Sequence, residues 1–417
     1  MCVVLALSLG AAACSQLPFG GATAKPSSPP AAVPPPAPPP PPPPRVETPP
    51  PPPPPPPVSA APPAVAAPPA STTAALLLPL TGPSAAIGAA LFNAAQMALF
   101  ELADGQFTLL PFDTKGTPDG AVAAARLAVA QHAGVVIGPL FSGEAKAASA
   151  VTAPAGINML ALTADQKVAA PGVYVLGFLP GPQAARVVDQ ARSQGRTRLG
   201  ILAPADDYGR TVAEYLKNQG PQSGISITGL EYYDVAGTDL AGPLKRLLKN
   251  ASRQPGEVGF DALLLPDEGS RLRAAAAAVA AAGIDPAQTR LLGTMLWEDS
   301  RPESEPALVG GWYAAAAPAA HADFAARYAK AFGARPPRLA SIGYDATALA
   351  AVLARRGGPR PFAHQALINP LGFAGVDGLF RLKSDGTNER GYAVMEVVAG
   401  GPPREVAPAP ASFQAVY

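Results

Sequence analysis

The sequence has few of the side chains that most enzymes use for chemistry. Cysteine occurs only twice in 417 residues, as Cys2 and Cys14, so the chain after residue 14 contains no disulfide, thiolate metal site or cysteine nucleophile. The three histidines lie in separate segments, without the spacing of a zinc site such as H-E-x-x-H. The patterns G-x-S-x-G, G-x-x-x-x-G-K-S/T and G-x-G-x-x-G are also missing, which argues against hydrolases, P-loop proteins and dinucleotide-binding enzymes. We therefore expect a protein that is not an enzyme, has no catalytic residues and holds no metal ion or cofactor.

An excess of charge of either sign is absent too. Lysine and arginine total 31 and aspartate and glutamate total 30, which gives a net charge of +1. Basic clusters interleaved with aromatic residues, which are typical of nucleic-acid-binding surfaces, do not occur. We expect no nucleic acid among the partners.

The first 14 residues have the pattern of a targeting segment. Residues 3–9 form an apolar run too short to span a membrane, and small residues follow at positions 10–13, as in a cleavable signal sequence. Small residues directly before Cys14 resemble a bacterial lipobox. The resemblance implies that Cys14 is lipidated and that the protein faces the periplasm of the cell envelope, touching a membrane through this lipid only. Ser15 after the cysteine implies the outer rather than the inner membrane.

Proline dominates residues 26–70. Half of the 54 prolines precede Ser71, and uninterrupted runs at residues 38–44 and 49–57 favour the polyproline II conformation. At roughly 3.1 Å per residue, such a segment reaches up to about 140 Å. It is either a stalk or a disordered tether, and both interpretations put the start of the folded part near Ser71.

The folded part opens with a strand, a turn and a helix. Residues 75–78 are apolar and end at Pro79, which predicts a buried strand. Residues 81–84 have turn chemistry, and apolar residues then recur at helical spacing as far as Leu102. Ligand pockets of open α/β sheets lie at the carboxyl ends of the strands. Thr81 is therefore a candidate for the wall of a ligand cleft.

Strand and helix patterns alternate along most of the remaining chain. The alternation predicts an α/β fold with mainly parallel sheets flanked by helices. Near the end of the chain, residues 378–382, a turn at residues 384–386 and residues 392–398 predict a β-hairpin.

Several segments together resemble a known family. They are LLLPLTGPSAAIGAALFNAAQMALFE, VVIGPLFSG, GINMLALTAD and the turn at Asp207-Tyr208-Gly209, and they resemble the type I periplasmic binding proteins, most closely the leucine/isoleucine/valine-binding branch. The resemblance implies two α/β lobes joined by three crossings, with a ligand bound between them. It predicts a signal peptide at 1–13, a proline-rich linker at 14–74, a first lobe from 75–181 and 318–362, and a second lobe from 182–317 and 363–410.

The resemblance also implies candidate ligand-binding residues. In amino-acid-binding relatives, the ligand carboxylate is bound after the third and fourth strands, where helix N-termini present free N–H groups, and a tyrosine packs on the ligand. The matching residues are Ser142, Thr163, Ala164 and Tyr208. As an alternative, Ser142 and Thr163 simply cap the helices that follow them, Thr163 in a T-x-x-Q box with Gln166.

Two positions depart from the pattern of these relatives. Asp165 replaces a threonine, and a carboxylate there repels a ligand carboxylate, so we expect a cationic or amide group of the ligand to face it. Met295 stands where the acid that binds the ligand's ammonium group is expected, and Glu298 is the nearest acid. Asp165 and Glu298 are therefore further candidates, and capping a helix start is the alternative for Asp165.

Two functions fit the resemblance. One is the solute-binding component of ABC-type, branched-chain amino-acid transport, which delivers a small amino-acid-like or peptide-like ligand to an ABC permease. The other follows from similarity to envelope lipoproteins described as penicillin-binding protein activators, which regulate peptidoglycan synthesis by binding a penicillin-binding protein.

Overall fold

The computed structural model describes residues 38–39, 72–103, 105–220, 224–237, 239–252, 254 and 257–413. The predicted signal peptide, Cys14 and nearly all of the proline-rich linker lie outside the described residues. The folded part contains two large sheets flanked by helices and one small sheet.

The first sheet has five parallel strands in the order β2-β1-β3-β4-β5. Strand β1 is apolar after its first residue, Thr73, and almost fully buried, as expected for a parallel strand that is covered on both faces. The strands are β1 (Thr73–Leu78), β2 (Thr108–Asp113), β3 (Val135–Ile137), β4 (Asn158–Ala161) and β5 (Val173–Val175), and the helices between them are α1 (Ala85–Leu102), α2 (Pro118–Ala130) and α3 (Ser142–Thr152).

Helix α1 is long and apolar enough to span a membrane by length and composition, but it is a core helix of this fold. It packs along α9 (Ala340–Arg356), so closely that a Cβ at Gly343 would lie 2.7 Å from the carbonyl oxygen of Leu91. Its first turn also touches the end of β1, because a Cβ at Gly88 would lie 2.0 Å from the carbonyl oxygen of Pro79. Small residues thus fix the position of α1 on both sides.

The second sheet has seven strands in the order β15-β14-β10-β9-β8-β6-β7. Strands β6 to β10 are parallel, whereas β14 and β15 are added antiparallel at one edge. The strands are β6 (Arg198–Pro204), β7 (Ser226–Tyr233), β8 (Ala262–Leu264), β9 (Arg290–Gly293), β10 (Trp312–Ala315), β14 (Ala393–Glu396) and β15 (Arg404–Ala407), and the helices are α4 (Pro180–Ser193), α5 (Asp207–Gln219), α6 (Ala241–Ala251) and α7 (Gly269–Ala281).

The small sheet corrects the predicted hairpin. Strand β12 (Gly378–Leu382) pairs with β11 (Phe373–Gly375) and with β13 (Asn388–Arg390), and not with residues 392–398. The turn after β12 ends at Thr387, whose carbonyl accepts the N–H of Lys383, so the strand that pairs with β12 begins at Asn388 and not at residue 392. The chain then leaves for the second sheet, where β14 pairs with β10. Two further helices are α8 (Pro318–Phe332) and the short α10 (His364–Leu367).

The small sheet contacts the first lobe directly. The Asn388 side chain donates hydrogen bonds to the carbonyls of Val175 (2.9 Å) and Gly177 (2.8 Å), and Arg390 Nη2 donates to the carbonyl of Leu176 (2.9 Å). This part of the segment 363–410, which we expected in the second lobe, is therefore bonded to the end of β5. The full set of lobe limits stays a prediction.

Candidate functional site

A cavity of about 620 Å³ lies between the loops that follow the strands of the two large sheets. Its position is the one expected for a ligand site in open α/β sheets. Residues of both lobes line it, and most of them are apolar: Ile87, Leu140, Phe141, Ser142, Leu162, Thr163, Ala164, Gly177, Phe178, Gln183, Tyr208, Glu268, Met295, Leu296, Asp299, Arg338, Leu339 and Ile342. We call it the main cavity.

The first-lobe wall offers hydrogen-bond donors. Ser142 is the first residue of α3 and does not cap it; instead the Glu144 carboxylate accepts from the backbone N–H of Phe141 (3.3 Å). The N-terminus of α3, with its positive dipole end, therefore reaches the cavity beside the Ser142 hydroxyl. Thr163 and Ala164 border the cavity from the loop after β4. This wall suits an anionic group of a ligand.

Asp165 lies in the same loop but does not border the main cavity. Its carboxylate accepts the N–H of Lys167 (2.9 Å) and caps a single 3₁₀ turn. The box predicted between Thr163 and Gln166 is wrong, because the Thr163 hydroxyl oxygen accepts the N–H of Asp165 instead (3.1 Å). The geometry thus matches the capping alternative for Asp165.

Tyr208 borders the main cavity from the second lobe. It lies in the first turn of α5, whose start is fixed by the Asp206 carboxylate accepting the N–H of Gly209 (2.9 Å). Its hydroxyl donates to Thr294 Oγ1 (2.8 Å). Burial raises the pKa of Tyr208 well above its usual value, against the opposing effect of this hydrogen bond, so the phenol stays neutral.

Two other predicted site residues lie away from the main cavity. The Thr81 hydroxyl donates to Asp113 Oδ2 (2.5 Å), which ties the turn after β1 to the end of β2. Glu298 Oε2 lies 3.6 Å from Arg338 Nε, and burial raises the pKa of Glu298 although Arg338 opposes the shift. Neither side chain lines the main cavity.

Sequence reasoning missed two acids that line the main cavity, Glu268 and Asp299. Glu268 directly precedes α7, and burial together with the neighbouring carboxylate of Asp267 raises its pKa. Its position in the loop after β8 could have marked it as a candidate site residue, because the other loops that line the main cavity also follow strands. Asp299 lies in the 3₁₀ segment Met295–Ser300, whose winding brings Asp299 rather than Glu298 to this cavity.

Gln183, in the first turn of α4, connects the segment before α4 with the segment after β9. Its side chain is 2% exposed; Nε2 donates to the carbonyls of Phe178 (3.3 Å) and Leu179 (3.2 Å), and Oε1 accepts the N–H of Met295 (3.0 Å). One amide thus satisfies backbone groups on two separate segments beside the cavity.

Arg338 lies at the base of the main cavity, just before α9. Its Nη1 is 3.2 Å from Asp377 Oδ1 and 2.6 Å from His321 Nδ1. The guanidinium is stacked 5.2 Å from the ring centre of Phe178, and Arg390 lies 4.8 Å from the same ring. Phe178 therefore contacts two cations, which favours a fixed ring position at the cavity.

In the described part of the chain, no group of three or more histidine, cysteine, aspartate or glutamate side chains is placed to hold a metal ion. The polar groups of the main cavity are those of a binding site, with donors on one wall and acids on the other.

Comparison with known proteins identifies the family. Residues 71–402 match the family model described as periplasmic binding protein. The chain belongs to this family. The predicted two-lobed α/β fold with mainly parallel sheets is thereby confirmed, and the family is a class of ligand-binding rather than catalytic proteins.

Solved structures show the same fold at low sequence identity. A candidate branched-chain amino acid ABC transporter protein from Rhodospirillum rubrum has a TM-score of 0.70 and 21% identity, over 80% of this chain and 99% of that one. The substrate-binding protein LivJ from Streptococcus pneumoniae, in complex with isoleucine, has a TM-score of 0.56 and 18% identity, over 81% and 99%. A solute-binding protein from Rhodopseudomonas palustris, in complex with 3,4-dihydroxybenzoic acid, has a TM-score of 0.59 and 19% identity, over 82% and 97%. No curated protein matches the chain.

Proposed function

We propose that this protein is the solute-binding component of an ABC transporter and that it binds a small amino-acid-like ligand in the main cavity. One observation supports this most directly: the two walls carry complementary groups. Ser142 and Thr163 lie on the first-lobe wall, whereas Glu268 and Asp299 lie on the second-lobe wall. A zwitterion placed between the lobes has its carboxylate facing donors and its ammonium group facing acids.

The apolar part of the cavity suits the rest of such a ligand. Phe178, Met295 and Leu296 line it between the two polar walls, and burial of a ligand side chain there contributes roughly 25 cal/mol per Å² of apolar surface. Two of the similar structures contain carboxylic acids, isoleucine in one and 3,4-dihydroxybenzoic acid in the other. The acids Glu268 and Asp299 favour the ligand that also carries an amine.

The experiment compares matched ligands by thermal shift. Leucine, norleucine, lysine and glutamine are tested beside 4-methylpentanoate, which is leucine without its amine, and 3,4-dihydroxybenzoate. A ligand at 100 times its Kd stabilises the folded state by about 2.7 kcal/mol, so binding raises the Tm. We expect at least one amino acid to raise the Tm and its deaminated counterpart to have no effect.

Two variants test the roles of the walls. Glu268→Gln removes one acceptor of the ammonium group and should weaken amino-acid binding about 10- to 100-fold, because a hydrogen bond to a charged group contributes about 1.5–3 kcal/mol. Asp165→Asn is the matched control and should change the Kd less than twofold. A larger loss in Asp165→Asn than in Glu268→Gln would contradict the assignment and restore our sequence-based expectation for Asp165.

Regulation of peptidoglycan synthesis is the second candidate. The proline-rich segment at residues 26–70 supports it, since its length suits a lipid-anchored protein that reaches a distant partner, and so does Met295 in place of the family's ammonium-binding acid. Purified penicillin-binding proteins from the same organism would then bind the protein, and no solute would change its Tm. A solute that binds while those proteins do not would reject this candidate.

A further inference from the structure

A second cavity of about 580 Å³ adjoins the main cavity. The two cavities share Arg338 and Asp299 among their lining residues. We call the second one the side cavity. A ligand that occupies the main cavity therefore has a neighbouring space of similar size.

The side cavity has acids on one wall and bases on the other. Glu298, Asp299 and Glu303 come from the segment that follows β9 in the second sheet, whereas His321 and Arg335 come from α8 and the loop after it. Helix α8 is bonded to α1 of the first lobe, through an ion pair of Arg327 with Glu101. The side cavity thus lies between the two lobes, as the main cavity does.

Some of these groups already have partners within the protein. Glu298 forms an ion pair with Arg338, and His321 Nδ1 lies 2.8 Å from Asp377 Oδ1. In contrast, Asp299, Glu303 and Arg335 form no ion pair with any described residue. Because Asp299 also borders the main cavity and faces the first ammonium group there, the side cavity adds one acid, Glu303, and one base, Arg335, that are available to a ligand.

We propose that the natural ligand spans both cavities and carries an amino-acid group at each end. This inference rests on the proposed function, which places one amino-acid group in the main cavity. The second group enters the side cavity, with its ammonium near Glu303 and its carboxylate near Arg335. Ligands of this class include diamino-dicarboxylic acids and short peptides that contain them.

The test uses four ligands that differ by one charged group at the far end. Diaminopimelate has a complete second amino-acid group, lysine lacks the far carboxylate, 2-aminopimelate lacks the far ammonium, and norleucine lacks both. Their Kd values are measured by calorimetry with the wild type. We expect diaminopimelate to bind most tightly and norleucine most weakly, with roughly tenfold between them or more.

Two variants assign the far groups separately. Arg335→Ala should weaken diaminopimelate and 2-aminopimelate on the order of tenfold and leave lysine unchanged, because lysine has no far carboxylate. Glu303→Gln should weaken diaminopimelate and lysine and leave 2-aminopimelate unchanged. Arg360→Ala, an exposed arginine away from both cavities, is the control and should change no Kd.

The outcomes separate this inference from the proposed function. If norleucine binds as tightly as diaminopimelate and the two variants change nothing, the main cavity alone holds the ligand and the inference is wrong while the proposed function stands. If Arg335→Ala weakens lysine as much as diaminopimelate, the assignment of the far carboxylate is wrong. If no amino acid in the wider panel binds, both fail.

Discussion

Removing the Arg390 guanidinium should destabilise the fold strongly, because it would leave a buried carboxylate without its cation. Arg390 Nη1 lies 3.2 Å from Asp345 Oδ2, and the two side chains are 3% and 0% exposed. In Arg390→Met, Asp345 keeps only the N–H of Val376 (2.8 Å) as a partner. Breaking one side of a buried pair typically costs about 3–5 kcal/mol, so we expect the free energy of unfolding to fall by that amount.

The loss should depend on pH. Burial raises the pKa of Asp345 to about 6, even though Arg390 opposes the shift, and without the guanidinium this pKa must rise further. A raised carboxyl pKa costs stability as the pH increases from the unfolded-state value near 4 through the folded-state value. The difference between wild type and Arg390→Met should therefore be small near pH 4 and largest above pH 7.

Urea unfolding followed by circular dichroism at several pH values measures both effects. The double variant Asp345→Asn with Arg390→Met is the control, because it removes both charges and keeps an acceptor for the Val376 N–H. It should recover most of the lost stability, since neutral replacements of buried pairs are often tolerated. A single variant as stable as the wild type at pH 8, or a double variant no better than the single one, would refute the reasoning.

Three further predictions follow from the sequence and the fold. Gly88→Ala should lower the free energy of unfolding by about 1–3 kcal/mol, because its Cβ would lie 2.0 Å from a backbone oxygen. Gly143→Ala is the control and should be tolerated, because the nearest atom to its Cβ would be 3.9 Å away. Equal urea midpoints for the two variants would contradict the prediction. Burial alone would raise the pKa of Asp377, but nearby cations lower it to about 2. This carboxylate therefore stabilises the fold above pH 4, and its contribution is lost between about pH 4 and pH 2. In the same unfolding assay, the free energy of unfolding of Asp377→Asn should fall less over that pH range than that of the wild type. Cys14→Ala should release the protein from the membrane fraction, and mass spectrometry that finds an unmodified Cys14 in the wild type would reject the lipid anchor.

The architecture was accessible from the sequence because buried parallel strands and core helices have simple patterns. The apolar run of β1 and the apolar spacing of α1 predicted both elements close to their observed limits. The hairpin near the end of the chain was predicted wrongly because two short strands, β13 and β14, are separated by only a few residues and belong to different sheets. A pattern of alternating apolar residues does not show that the chain changes sheets at Gly391.

The site was accessible from the sequence mainly through the resemblance to the family. That resemblance implied Ser142, Thr163, Ala164 and Tyr208, and all four line the main cavity. Arg338 was missed because it precedes helix α9, far along the chain, and does not follow a strand as the other site loops do. Glu298 was misplaced because the direction of a side chain in a 3₁₀ segment cannot be read from spacing after a strand.

The close packing of α1 against α9 has a consequence for the order in which the chain becomes structured during synthesis. Glu101 at the end of α1 and Tyr344 in α9 are hydrogen-bonded partners 243 residues apart. At roughly 5–20 residues per second, a ribosome needs about 10–50 seconds to add the second partner after the first. Throughout that interval one apolar face of α1 has no covering helix. A nascent chain of this protein therefore carries an apolar segment of membrane-like composition long before α9 can cover it, and we expect chaperones that bind apolar segments to retain it.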